Sequence, residues 1–429
     1  MDFNGLSLDQ APPISAPLRF FITAPVFGFF AALFLFFSDP AVLVNRFSIE
    51  AIVATHLITI GIFGFVMMGA LTQMLPVLAG AKIFAVKRSA LVGYLLLLFG
   101  VVSMVFGLML NSSIVLWIAV GLLGSGFFLL ISLMLFAIKG VTYFTPSIFG
   151  MMVSLFFAFS IVGMGLYLLY GYASGDMSSF HVLIANIHSV WAVFGFCGIL
   201  IVGVAFQVLP MFYVAPKFKQ FFEQRVVLLI GFGLLLWSVL ILFVPKYLLF
   251  AKLWVATLFF AFAITVWFNL NKRKRSISDI TIWYWRSAVL FLLSGTVVWI
   301  FASFYEGVSI TLVALLIGGG FIMSVMQGML YKIVPFLVWF HLNALGYMTI
   351  PTMNEMINKK VARVQFMLFI TALFLFVVSF FVPWIFKVAA LTFMISMAIL
   401  EYNLFLAARI YRRTKKSKPD FDMSAFTTQ

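Results

Sequence analysis

The chain has 429 residues, 65% of them hydrophobic and only 9% charged, with a formal net charge of +15 and a mean hydropathy of +1.19. A soluble globule carries about 25% charged residues, so this composition excludes one and describes a chain dissolved in lipid. The positive charge does not indicate a nucleic-acid partner, because the lysines and arginines lie in short loops between apolar runs.

Residues 1–17 are acidic or neutral, so they read as a cytoplasmic segment and not as a cleaved signal peptide, which would need a basic start. Twelve apolar runs follow, near 18–37, 50–75, 90–110, 114–138, 146–171, 179–210, 226–244, 249–269, 284–304, 308–340, 363–382 and 386–410. Each approaches or exceeds the roughly 20 residues a helix needs to cross a bilayer. The pattern predicts an all-α polytopic membrane protein with one transmembrane domain over 18–410. A basic tail, 411–429, is expected to be mobile and to lie on anionic lipid. Of the 27 basic residues, 22 fall in the even-numbered loops and near the two termini. The positive-inside rule then puts both termini in the cytoplasm.

Three stretches share one template: Gly69 to Pro76, Gly203 to Pro210 and Gly328 to Pro335, each Gly-x-x-x-(Gln or Lys)-x-(aliphatic)-Pro. They fall at the ends of the second, sixth and tenth runs. A recurrence of this kind marks an internal repeat. It divides the chain into units of four helices, about 18–138, 146–269 and 284–410, with each proline expected to close its helix at the cytoplasmic side. Gly61, Gly64 and Gly69, and likewise Gly195, Gly198 and Gly203, give a face of small residues. Such a face brings helix backbones close in lipid, or else makes room for a flat ligand.

Measured back from the prolines, His56 lies 20 residues before Pro76 and His188 lies 22 before Pro210, a depth of roughly 30 Å at about 1.5 Å per residue. Two equivalent helices thus carry an imidazole at matched height, and intramembrane ionisable groups are functional by default. Imidazole ligates haem iron, copper and zinc. A haem held by two axial histidines needs them on facing helices, whereas a bare ion needs several converging donors. His181 is two turns above His188 on the same face, and His341 follows Pro335 as a boundary residue. Lys332 occupies the template place of Gln73 and Gln207. It is expected to snorkel to the cytoplasm, or to join the glutamines around a threefold axis as a proton or ion path or a holder of a propionate. Glu50 and Glu306 flank spans and read as solvated, and Glu401 and Asn403 lie near the cytoplasmic end of the last span. Cys197 is the single cysteine. Phosphate-binding loops, Cys-x-x-Cys and His-Glu-x-x-His motifs are absent from the sequence.

Twelve spans, both termini inside, four-helix units and histidines on the outer halves of the second and sixth spans resemble the catalytic subunit of the haem–copper oxidase and nitric oxide reductase superfamily. The resemblance covers nearly the whole chain as topology. In that family the second helix carries a low-spin haem ligand, which His56 matches. The sixth carries a copper or non-haem-iron histidine, which His188, and less well His181, matches. The tenth-helix histidine pair has no counterpart in Ser309–Gly320, nor has the pair after the seventh helix in Pro245–Trp254. No tyrosine follows either histidine at the spacing of the cross-linked pair, so a complete binuclear centre is not expected. The resemblance implies a divergent bacterial inner-membrane relative holding haem b, with copper as the other metal. It implies electron transfer or the binding or detoxification of NO or O2, a quinol or cytochrome donor, and room for a homo-oligomer. Two readings from other classes stand beside it. One is a cofactor-free transporter or channel whose proline-ended helices place Gln73, Gln207 and Lys332 on the solute. The other is a respiratory-complex assembly factor.

Overall fold

The computed structural model describes residues 10–274, 279–305 and 307–421. Among these, twelve helices are long and apolar enough to cross a membrane, and none of the described residues forms a strand. The protein is a multi-pass membrane protein. The helices are α1 Ser15–Phe37, α2 Ile49–Ala79, α3 Val86–Met109, α4 Ser113–Ile138, α5 Pro146–Ser174 and α6 His181–Tyr213. They continue as α7 Gln220–Phe243, α8 Pro245–Asn271, α9 Ile280–Phe301, α10 Ile310–Ala344, α11 Lys359–Ser379 and α12 Ile385–Thr414.

Short connections make consecutive helices antiparallel neighbours. α1 packs on α2, α3 on α4, α5 on α6, α7 on α8, α9 on α10 and α11 on α12. Further contacts join α4 to α5, α8 to α9 and α12 back to α1, which closes a ring. In their most apolar stretches α2, α6 and α10 are 67%, 78% and 61% buried, against 33–44% for the other nine. These three therefore stand innermost, and the rest present apolar side chains to lipid.

The glycines explain the close fit. A Cβ on Gly61 would come within 2.6 Å of Phe27 on α1, and one on Gly195 within 2.6 Å of Phe157 on α5; one on Gly320 would strike Phe291 on α9. Eight residues further along each helix, Gly69 meets Phe20 and Phe21, Gly203 meets the backbone of Gly150, and Gly328 meets Tyr284. Both levels of α2, α6 and α10 thus press on the helix before them. Without a hydrophobic force between helices in lipid, such van der Waals fit is what holds them. Packing, not a flat ligand, accounts for these glycines.

Each inner helix also contains a π-helical stretch around its upper glycine: Thr59–Gly64, Trp191–Gly198 and Leu315–Ile322. The wider turn shifts the face presented by everything before it, and such bulges are frequent at functional sites.

Two expectations need correction. Pro76, Pro210 and Pro335 do not close their helices, which run on to Ala79, Tyr213 and Ala344; burial of the flanking turns holds the helix together past each proline. The expected mobile tail is instead fastened as far as it is described. α12 continues to Thr414, and the Asp420 carboxylate accepts hydrogen bonds from Met348 N, Thr349 N and Thr349 Oγ1 at 2.6–3.0 Å. Tyr347 Oη donates to Ser417 O, and Phe421 N to Gly346 O. Glu306, Arg275 and residues 422–429 lie outside the described residues.

Candidate cofactor site at the histidine end

His56 lies three residues before the π stretch of α2, and His188 three before that of α6. The two rings come together across the helix pair, with centroids 6.3 Å apart and planes at 25°. His56 Nδ1 is 2.8 Å from its own helix carbonyl Ile52 O. His188 Nδ1 is 3.0 Å from Ile161 O of α5. A carbonyl can only accept, so each Nδ1 carries the proton and each Nε2 keeps its lone pair free, the tautomer that suits a metal ligand. Gly165 makes room for His188, since a Cβ there would come within 3.1 Å of the ring.

The rings sit deep in the bundle but are not sealed. His56, Ile58, Thr59 and Ile60 retain partial exposure, as do His188, Ala192 and Val193, and Thr55, Ser189 and Ala314 are exposed. Nearer the prolines the same helices are almost wholly buried.

The loop between α1 and α2 crosses this end. A short helical turn, Pro40–Leu43, is started by Asp39, and Ser48 caps α2 by accepting from Ala51 N. From this loop Leu43 O accepts a bond from Ser309 Oγ at the start of α10. Arg46 donates to Asn186 Oδ1 of α6 at 2.5 Å and lies 4.4 Å over the Phe47 ring. One loop therefore touches all three inner helices. Burial pulls the Arg46 pKa down, though a guanidinium remains charged. No carboxylate pairs with it among the described residues.

The other sequence candidates fall elsewhere. His181, at the start of α6, packs on Tyr172 with centroids 5.5 Å apart and against Gly171, away from the ring pair. His341 lies beyond Pro335 with its ring against Phe340, 5.3 Å between centroids, and its Nε2 has no protein partner. Gln73, Gln207 and Lys332 make no hydrogen bond to one another. Lys332 does not snorkel. It is buried and forms a 3.0 Å ion pair with Asp279, just before α9. Burial works to raise the Asp279 pKa, but the Lys332 ammonium and hydrogen bonds from Thr281, Lys332 and Ile282 outweigh it and hold the pKa below the ordinary carboxylate value. Glu401 leaves one buried oxygen unpartnered, and Glu50 is exposed.

Sequence reading missed a polar cluster among α9, α10, α11 and α12. Tyr284 Oη donates toward Gln365 Oε1 (2.5 Å) and Gln327 Oε1 (3.1 Å), and Gln365 Nε2 donates to Gln327 Oε1 and Ser396 Oγ. Asn403 Nδ2 donates to Tyr331 Oη. All are buried. The only sequence signal was the rarity of glutamine inside apolar spans.

Among the described residues no three His, Cys, Asp or Glu side chains converge as metal donors. No protein-family profile matches the chain, and no curated protein matches it at a significant level.

Proposed function

We propose that the chain is a bacterial inner-membrane electron-transfer protein that holds one b-type haem between His56 and His188. It would be a divergent relative of the haem–copper oxidase and nitric oxide reductase catalytic subunits. One observation carries the reading: two imidazoles on facing helices, 6.3 Å between centroids, with each Nδ1 tied to a carbonyl. His56 and His188 are the residues that would hold the group, through the ring nitrogens left free by their Nδ1 bonds.

The donor set favours a macrocycle over a bare copper ion. Two histidines complete the axial positions of a haem, while copper or zinc asks for further donors, and none converge among the described residues. His56 and His188 would both be used to hold the group, so electron transfer is preferred to gas chemistry. The haem, when bound, supplies the one-electron redox couple. The chain's own residues orient the imidazoles through Ile52 O and Ile161 O.

The plan of three four-helix units with both termini in the cytoplasm belongs to this reading. Its supports are the contacts recurring every four helices (α1 with α2, α5 with α6, α9 with α10; α12 with α1, α4 with α5, α8 with α9) and the clustering of basic residues. On it the histidine end faces the periplasm, where a quinol or cytochrome would donate electrons.

The test is the absorption spectrum of the purified full chain. A reduced spectrum of a six-coordinate haem that is lost in both His56→Ala and His188→Ala supports the reading. A folded, colourless protein that takes up no added haem overturns it and leaves the transporter as the better account.

A further inference from the structure

We infer that a lipid-facing groove between α1, α11 and α12 binds one anionic phospholipid, with an acyl chain in the groove and the phosphate on Lys360 and Arg409. The groove shares no residue with the site of His56 and His188.

The groove holds about 280 Å³ and is lined chiefly by Phe29 of α1, Val361 of α11, and Met394, Ala398 and Tyr402 of α12. The Tyr402 hydroxyl is the only one among its lining side chains. Ile395, Ala398 and Tyr402 follow at helical spacing and are all exposed, so they form one outward stripe of α12. Ala398 is the small member, and the stripe is notched there between its larger neighbours. A notch left empty forfeits van der Waals contact. In a bilayer the group at hand to fill it is an acyl chain.

Two cations stand at one end of this slot. Gln365 Nε2 bonds to Ser396 Oγ, which sets the antiparallel α11 and α12 level at those residues. Lys360 is five residues before Gln365 and Tyr402 six after Ser396, about 8 and 9 Å from that level on the same side. Lys360 directly precedes Val361 of the groove wall. Arg409 is seven residues beyond Tyr402, two turns along the same stripe. Helical side chains lean toward the N-terminus of their helix. Arg409 therefore leans back toward Tyr402 and Lys360 leans out past it, so the two charges approach one level at the mouth of the slot. Both are exposed and neither has a carboxylate, since the ion pair among the described residues is Lys332 with Asp279. Glu401, beside Tyr402, has one oxygen buried away from this surface. An apolar slot that ends at two unpaired cations matches an acyl chain that ends at a phosphate. A net negative head group gains from both cations, whereas a zwitterionic one brings a cation of its own.

Native mass spectrometry of the full chain, released from micelles holding phosphatidylglycerol and phosphatidylcholine in equal amounts, tests this. The wild-type chain should retain one phosphatidylglycerol, preferred about tenfold over phosphatidylcholine, with the preference shrinking as the salt of the equilibration rises. Ala398→Phe fills the notch from its exposed side and should abolish retention of that lipid. Lys360→Gln combined with Arg409→Gln alters two surface residues and should keep a lipid while losing the preference, which keeps the test decisive should Ala398→Phe fail to fold. Equal retention of the two lipids by the wild-type chain overturns the inference. So does full retention by folded Ala398→Phe, or an unchanged preference in the double charge variant. A dimer of the chain that Ala398→Phe disperses, with no lipid adduct, would assign the groove to a second copy and overturn it as well. Each of these results leaves the haem reading where it stands.

Discussion

The two ends of the three inner helices treat polar groups in opposite ways. Toward the proline end Tyr284, Gln327, Gln365 and Ser396 bond to one another, with only Gln327 Nε2 of that cluster left over, and Lys332 has Asp279. At the histidine end the Nε2 atoms of His56 and His188 and the hydroxyl of Thr311 have no partner among the described residues, and Arg46 has only Asn186. Polar groups are costly to bury in a lipid-spanning bundle. A set that closes on itself holds helices in register, whereas a set left open is built for something that comes from outside. The two sets also draw on different neighbours: the bonded one joins α10 to α9, α11 and α12, the open one lies mostly on α2 and α6 and the loop between α1 and α2.

Breaking the open end should have the largest effect. Loss of groups that only support a metal ligand costs about 10–100-fold in affinity, so His56→Ala or His188→Ala should weaken haem binding by more than about 100-fold in a spectral titration. Thermal unfolding of the ligand-free chain should barely change.

Breaking the closed end should do the reverse. Asp279→Ala strands the Lys332 ammonium and should cost about 3 kcal/mol, at the low end for such pairs because Asp279 is partly exposed. Replacing both partners with apolar residues should recover most of the loss in a double-mutant cycle. Because the folded-state pKa of Asp279 is depressed, its contribution is fully present above the ordinary carboxylate value of about 3.9 and is lost as the pH falls through the depressed value. Denaturation between pH 6 and 8 should therefore show no dependence on this group, and a loss in that window would point to another residue.

Gln365→Leu leaves Tyr284 and Ser396 short of partners and should cost about 1–3 kcal/mol. Gly203→Leu should cost about 1–3 kcal/mol or more through overpacking, since the obstacle is the backbone of Gly150. Smallest of all, Gly163→Ala meets open space and should leave stability unchanged or raise it by up to about 1 kcal/mol. Equal losses at Gly163 and Gly203 would refute the packing account.

The sequence made the twelve spans legible because hydropathy over some 20 residues is a strong signal, and the matched depth of His56 and His188 was readable from the prolines. The π stretches were not, because one extra residue per turn leaves composition unchanged and only Gly61, Gly195 and Gly320 hint at them. Nor was the partner of Lys332 visible. Asp279 is 53 residues away, and the pairing exists only because α9 packs on α10. The tail was misjudged because its basic composition masked one carboxylate, Asp420, that fastens it.

The contact between α1 and α12 has a consequence for how the chain is made. Phe20, Phe21, Ala24 and Ala31 on α1 are fully covered in the finished ring, and α12, which packs on the same helix, is synthesised only after the ten helices between them. Throughout translation the first hairpin must wait in the bilayer with one flank bare, open to wrong neighbours or to an insertion chaperone that shields it. Ribosome-stalled chains of increasing length should stay exposed to crosslinking on that flank of α1 until α12 leaves the ribosome.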